Sequence, residues 1–299
     1  MYKICIVFHT DSPNVFENSL DCQKFIFLTG KFLSFESLKK ESLDKINEFV
    51  ITVDKFQDKD EAQKESHILK DCLLMLGAKW RIGVKVSKVD VVPTDAIVLN
   101  LDFKSATYLA SRSIQDFRDE LDSIMNSNPK LSSKERLSLE LYGNSYYEYS
   151  ARAQFLTLIT AIESLVKRKK LSKSICDVID RLKQFVKDSD TISDIEKKSI
   201  SERLSQDLKK QTISEAVEEL VKTHLDGKEY GYFPEKGILY PSEFVTSCYK
   251  VRSKLVHNGF IDDGFIDEQL FPSGIKNFEE LTPLLKLLVA DLLLKIIES

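Results

Sequence analysis

Polar and apolar positions alternate in short runs within the first hundred residues, interrupted by one helical stretch, and helical spacing dominates after them. Ile4, Ile6 and Phe8 alternate with Lys3, Cys5 and Val7 over 3–8, a run whose length and apolar content predict a buried strand. Residues 24–35 set Phe25, Phe27, Phe32 and Phe35 around Thr29-Gly30, which predicts two short strands and a turn. Phe49, Ile51 and Val53 alternate again over 48–56. Over 60–76, Ala62, Ile68, Leu69, Cys72, Leu73 and Leu76 share one helical stripe, and Gly77 is its expected stop. Strand patterning returns over 82–92 and 96–103. From 105 to 126 the spacing is helical, and Asn126-Ser-Asn-Pro-Lys130 breaks it, because proline lacks an amide donor and restricts the residue before it.

A domain boundary is therefore expected near 130. It separates a mixed α+β domain (1–130), whose role the residues do not reveal, from an all-α helical bundle (131–299). The second part opens with a helix over 131–141, capped by Ser132 or Ser133, and an aromatic junction over 142–147. Ala151, Phe155, Leu158, Ile159, Ile162, Leu165 and Val166 then follow the i, i+3, i+4 rule closely. Amphipathic helices are expected around 175–186, 192–208 and 213–221. An aromatic loop over 230–241 leads into a helix ending near 258, and an acidic irregular stretch follows. The segment 284–297 is apolar nearly all round, which predicts a buried helix in the bundle or in a subunit interface.

Composition narrows the class. At 299 residues, 42% hydrophobic and 30% charged, the chain has ample material for a core. No run reaches the ~20 apolar residues of a membrane span. The apolar stretch at 1–9 is too short for a signal sequence and lacks a small-residue cleavage site, so the expected location is cytoplasmic. The five cysteines are far apart and form no Cys-x2-Cys, so neither a zinc site nor a disulfide framework is indicated. No metal and no cofactor are expected. His9, His67 and Trp80 read as strand end, polar helix face and core. The net charge of −4 argues against a broad electrostatic nucleic-acid binder and confines any RNA contact to a local patch. Lys167-Arg168-Lys169-Lys170, with Lys173, is the one concentrated basic run. It reads as a solvated helix end or as a contact to an RNA backbone.

The stretch that carries chemistry is Tyr249-Lys-Val-Arg-Ser-Lys-Leu-Val-His-Asn-Gly259. Val245, Cys248, Val251, Leu255 and Val256 recur at helical spacing, with Ser242 as the expected N-cap and Asn258-Gly259 as the stop. Ser253 and His257, four apart, share a face, and Arg252 borders it. A guanidinium that grips phosphate in two places, beside an imidazole that carries a proton near neutral pH, suits phosphodiester chemistry. The plain alternative is a solvated Arg/His pair that caps a helix.

Arg252-x4-His257, late in a helical C-terminal half and preceded by the long helix over 149–166, resembles the R-x4–6-H motif of the HEPN superfamily, in the style of its ApeA-like group. The resemblance covers about the C-terminal half and implies a HEPN-like helical bundle. Many such proteins are metal-independent endoribonucleases that act as homodimers, with the motifs facing each other across the interface; others only bind. The resemblance thus implies Arg252 and His257 as catalytic residues, Ser253 and Asn258 in support, an RNA substrate, a homodimer, and action in phage defence or as a toxin. In active members the residue after the arginine is often Asn, Asp or His, whereas here it is Ser253. Glu163, beside the 151–166 stripe, reads either as a surface carboxylate or, given the resemblance, as a group that orients Arg252. The rival to the nuclease is a non-catalytic dimeric module that binds RNA, a nucleotide or a protein.

Overall fold

A computed structural model describes residues 1–11, 23–26, 32–38, 47–94, 114–206, 208–225, 240–261, 264–270 and 274–299. An antiparallel sheet near the N-terminus is followed by a mostly helical chain. The chain divides into two compact units, Met1–Ser164 with Asn277–Ser299, and Leu165–Lys276. Residue 130, where the sequence suggested a boundary, falls inside the first unit. Among the described residues no helix is long and apolar enough to cross a membrane.

In the first unit, strands β1 (Tyr2–Thr10), β2 (Gln23–Ile26), β3 (Phe32–Leu38), β4 (Asn47–Phe56) and β5 (Val84–Pro93) form a sheet ordered β2-β3-β4-β1-β5. All its pairings are antiparallel. The most apolar strand, β1, takes a central place, as expected for a run with few polar side chains to offer solvent. Helix α1 (Lys59–Trp80) packs on β1, β4 and β5 and buries Leu69, Cys72, Leu73 and Leu76. Phe8 stacks on Phe117 of α2 (Ile114–Asn126) at 6.2 Å, and Trp80 meets the same ring edge-on at 5.9 Å. The strand suggested over 96–103, the turn at Thr29-Gly30 and the start of the 105–126 helix lie outside the described residues.

Gly77 does not stop α1. The helix continues to Trp80 and is capped by Arg81 in the left-handed region (φ 56°). Gly77 instead admits β5, since a Cβ there would stand 2.9 Å from the Val84 Cβ. Helix α3 (Ser133–Ser145) is capped by Ser132, whose hydroxyl accepts from the Glu135 amide while the Glu135 carboxylate accepts from the Ser132 amide. This helix also absorbs most of the aromatic junction expected over 142–147. Its Ser138 hydroxyl donates to the Ala161 carbonyl of α4 (Ala151–Leu165) at 2.8 Å.

A last helix, Phe278–Glu298, carries the apolar segment seen in the sequence. It belongs to the sheet unit, where it packs on α1 and α3 and buries Leu281, Leu285, Leu288 and Leu292. Phe278 meets Phe155 at 5.2 Å, Thr282 Oγ1 donates to the Ala151 carbonyl, and Arg81 pairs with Asp291 at 3.3 Å.

The second unit contains α5 (Lys173–Asp188), α6 (Asp194–Gln206), α7 (Ile213–Leu225), α8 (Pro241–Asn258) and α9 (Phe265–Gln269); the Phe278–Glu298 helix is α10. Helix α5 packs on α6, and α8 packs on α7 and α9. The amphipathic pattern of α5 predicted a buried stripe, yet Ile175, Val178, Leu182 and Phe185 are 46–74% exposed and Ile179 is its one buried residue. Among the described elements α6 is the one that α5 packs on most, and a single neighbour covers one narrow face, so the rest of the stripe stays at the surface.

Candidate functional site

Helix α8 delivers the Arg252/His257 motif. Pro241 sits at its first position, where a missing amide costs nothing and the ring's fixed φ suits the helix. The N-cap is Tyr240 rather than Ser242, and no side chain caps it. Phe244, Val245, Cys248, Tyr249, Val251 and Leu255 are buried and hold the helix in the second unit. The far end closes as the sequence suggested. Gly259 takes φ 76°, and its amide donates to the Leu255 carbonyl at 2.9 Å.

That stop leaves the end of the motif at the surface. Ser253, His257 and Asn258 are exposed, while Arg252 is half-buried on the border of the apolar stripe. The Arg252 guanidinium stands 6.0 Å from the centroid of the Tyr249 ring, one turn back. Helical side chains lean toward the N-terminus, so this contact aims the guanidinium away from His257. Five residues at 3.6 per turn also put Arg252 and His257 roughly 140° apart round the axis. Lys254 reaches over the Phe265 ring at 3.8 Å and ties α8 to α9. Val256 and Phe260, before and after His257 in the sequence, are 51% and 58% exposed.

Glu163 lies on α4 in the first unit, whereas Arg252 lies on α8 in the second. The basic run also departs from the helix-end reading. Helix α4 ends at Leu165, before Lys167, and the following segment runs extended beside residues 209–211. The Gln211 amide donates to the Lys169 carbonyl at 2.8 Å and the Leu171 amide to the Lys209 carbonyl at 2.9 Å. Arg168 Nε donates to the Gln211 carbonyl at 2.6 Å, and Lys169 pairs with Glu219. The Glu219 carboxyl is held below its usual range by its bonds from Lys169 and Gln211. Lys167 and Lys170 are exposed. Lys169 and Lys170 thus border a cleft whose other charged residues are Glu215, Glu218, Glu219 and Lys222, a mixed rather than a basic surface. His224, in the last turn of α7, is half-buried.

Two clusters were not read from the sequence. In the first unit, the Tyr142 and Tyr146 hydroxyls bond at 2.8 Å and the Tyr147 hydroxyl donates to the Gly83 carbonyl at 3.0 Å. Burial pushes Tyr142 up to about 12 and raises Tyr146 and Tyr147 too. The Lys286 ammonium sits 4.0 Å over the Tyr146 ring, and burial lowers its pKa. In the second unit, lysines from α5 and α6 meet in one cleft. Their signal was the i, i+4 pair Lys183/Lys187 and the tandem Lys197-Lys198 on neighbouring helices. No family model, no curated protein and no solved structure matches the chain.

Proposed function

We propose that the chain is an endoribonuclease of the HEPN type, with His257 and Arg252 as its catalytic residues. The observation that carries the reading is the end of α8, where Gly259 stops the helix directly after the motif and leaves His257 exposed. His257 takes the proton of a ribose 2′-hydroxyl, whose oxygen attacks the adjacent phosphorus. The bond to the 5′-oxygen breaks, that oxygen leaves with a proton from a second acid, and a 2′,3′-cyclic phosphate remains. Arg252 stabilises the charge on the five-coordinate phosphate.

One copy offers one motif histidine, and its arginine leans the other way, over Tyr249. A homodimer that brings two α8 ends together supplies both an acid and a base, and pairs each histidine with an arginine across the two-fold axis. The exposed apolar side chains of Val256 and Phe260 suit such an interface. Ser253, four residues before His257, adds a hydroxyl on the same face, and Asn258 adds an amide beside it. Phage defence or toxin action is part of this proposal and comes from the resemblance alone.

The second reading is a non-catalytic dimeric module that binds RNA, a nucleotide or a protein through Arg252. The exposure of Ser253 and His257, with no hydrogen bond among the described residues to orient the imidazole, favours it. RNA cleavage by Arg252→Ala and His257→Ala separates the two, with circular dichroism to establish that each variant is folded. The nuclease reading requires both substitutions to abolish cleavage. Full cleavage by His257→Ala removes this histidine from the reaction.

A further inference from the structure

The α5–α6 pair carries a concentration of positive charge that RNA cleavage at α8 does not use. Lys183 and Lys187, one turn apart on α5, and Lys197 and Lys198, early in α6, line a cleft of about 430 Å³ with Ser201, Glu202 and Ser205. Lys183 is seated, its Nζ donating to Ser205 Oγ at 2.6 Å, while that hydroxyl donates to the Ser201 carbonyl at 2.8 Å. Among the described residues, Lys187, Lys197 and Lys198 have no ion-pair partner, and Lys197 is half-buried. Among the described residues the buried Ser201 hydroxyl oxygen has no hydrogen-bond partner.

Each feature points to a missing acceptor. Buried hydroxyls are normally hydrogen-bonded, and an acceptor seated in the cleft would satisfy this one. Ammonium groups only donate, so a cleft of lysines and a hydroxyl matches a ligand rich in acceptor oxygens. Like charges gathered in one cleft repel, and a counter-ion carrying several negative charges on few atoms relieves this best. Phosphate chains meet that description, whereas a single carboxylate brings one charge. Among the described lining residues Glu202 is the one acidic group against four lysines, so their local charge is positive in a chain of net charge −4.

We infer that the cleft between α5 and α6 binds a chain of phosphate groups, of the class carried by a nucleoside triphosphate or by a polynucleotide backbone. The site is separate from Arg252 and His257 and does not depend on cleavage there. Its basis is Lys187, Lys197 and Lys198, with Ser201 as a further donor and Lys183 held in place by Ser205.

The test is calorimetric titration of the full chain with tripolyphosphate at low and high salt. The expected result is saturable binding that weakens with salt. Binding should weaken about tenfold or more in the combined variant Lys187→Gln, Lys197→Gln, Lys198→Gln, because each lost lysine removes a charge contact and its counter-ion release. His257→Ala should bind as the unaltered protein does, whether or not it cleaves RNA, so failure of this site and failure of the nuclease reading are distinguishable. The pair Lys169→Gln, Lys170→Gln, in the mixed-charge cleft, should also leave binding unchanged. Competition by an oligoribonucleotide assigns the phosphates to a strand; competition by ATP alone assigns them to a free nucleotide. Absence of tripolyphosphate binding, unchanged binding in the triple variant, or equally tight binding of a hexaglutamate peptide would overturn the inference.

Discussion

Arg136 of α3 grips Asp71 of α1 with both arms of its guanidinium, Nε to Oδ1 at 2.7 Å and Nη2 to Oδ2 at 2.6 Å. The Asp71 side chain is 6% exposed and that of Arg136 38%. A carboxylate this buried depends on its partner, because removing one member strands the other without compensation. Arg136→Ala should destabilise the fold by about 1–3 kcal/mol, discounted from a fully buried pair because the guanidinium reaches solvent. Urea unfolding measures it, and an unshifted midpoint would show that the fork is ornamental.

Backbone proximity dictates the next expectation. A Cβ at Gly143 would stand 2.3 Å from the Val84 carbonyl oxygen, so α3 approaches β5 as closely as it does because residue 143 has no side chain. Gly143→Ala must push helix and strand apart, at a cost of about 2–4 kcal/mol. Gly259→Ala meets nothing within 4 Å and costs the left-handed conformation alone, about 1–2 kcal/mol. Thermal unfolding of the two variants should rank them in that order.

The buried tyrosines make stability fall in alkali. Burial raises the Tyr142 pKa from 10.0 to about 12, so the fold favours its neutral form. That contribution is fully present below the unfolded value and is lost as pH rises through the folded one. It amounts to about 2–3 kcal/mol across that window. Tyr142→Phe loses the bond to Tyr146 at neutral pH but should unfold less steeply with rising pH. An alkaline loss as large as that of the unaltered protein would contradict the assignment.

Thiol reactivity should follow burial. Desolvation pushes Cys72 up to about 12 and raises Cys5 and Cys248, while Cys176 is half-buried at the α5 surface. A maleimide should label Cys176 ahead of Cys5, Cys72 and Cys248 in the native protein, read by peptide mass. Early labelling of Cys248 would mean that α8 opens readily.

What the sequence could reveal depended on the range of the information. Periodicity is local, so β1, β4, β5 and α3 through α8 fall close to where their patterns put them, and the capping box at Ser132 and Glu135 was half visible as a serine cap. The stop of α8 at Gly259 was legible because glycine acts there through its own φ. Gly77 misled because its role is set by Val84, a neighbour across the fold that no local pattern reports. The same holds for α10, whose apolar faces announced burial but not that it packs on α1 and α3 in the N-terminal unit. The outward stripe of α5 had the spacing of a core helix, since periodicity identifies a face without saying what covers it. The lysine cleft was scattered over two helices and needed their pairing to become one site.

Chemistry at the end of α8 leaves its mark on the ends of the RNA it cuts. RNA is incubated in EDTA with the unaltered protein and with His257→Ala, and the 3′ ends of the products are identified. Cleavage by His257 should survive chelation, leave 2′,3′-cyclic phosphate ends and be lost with the histidine. Cleavage that persists in His257→Ala, or that yields 3′-hydroxyl ends, would contradict it.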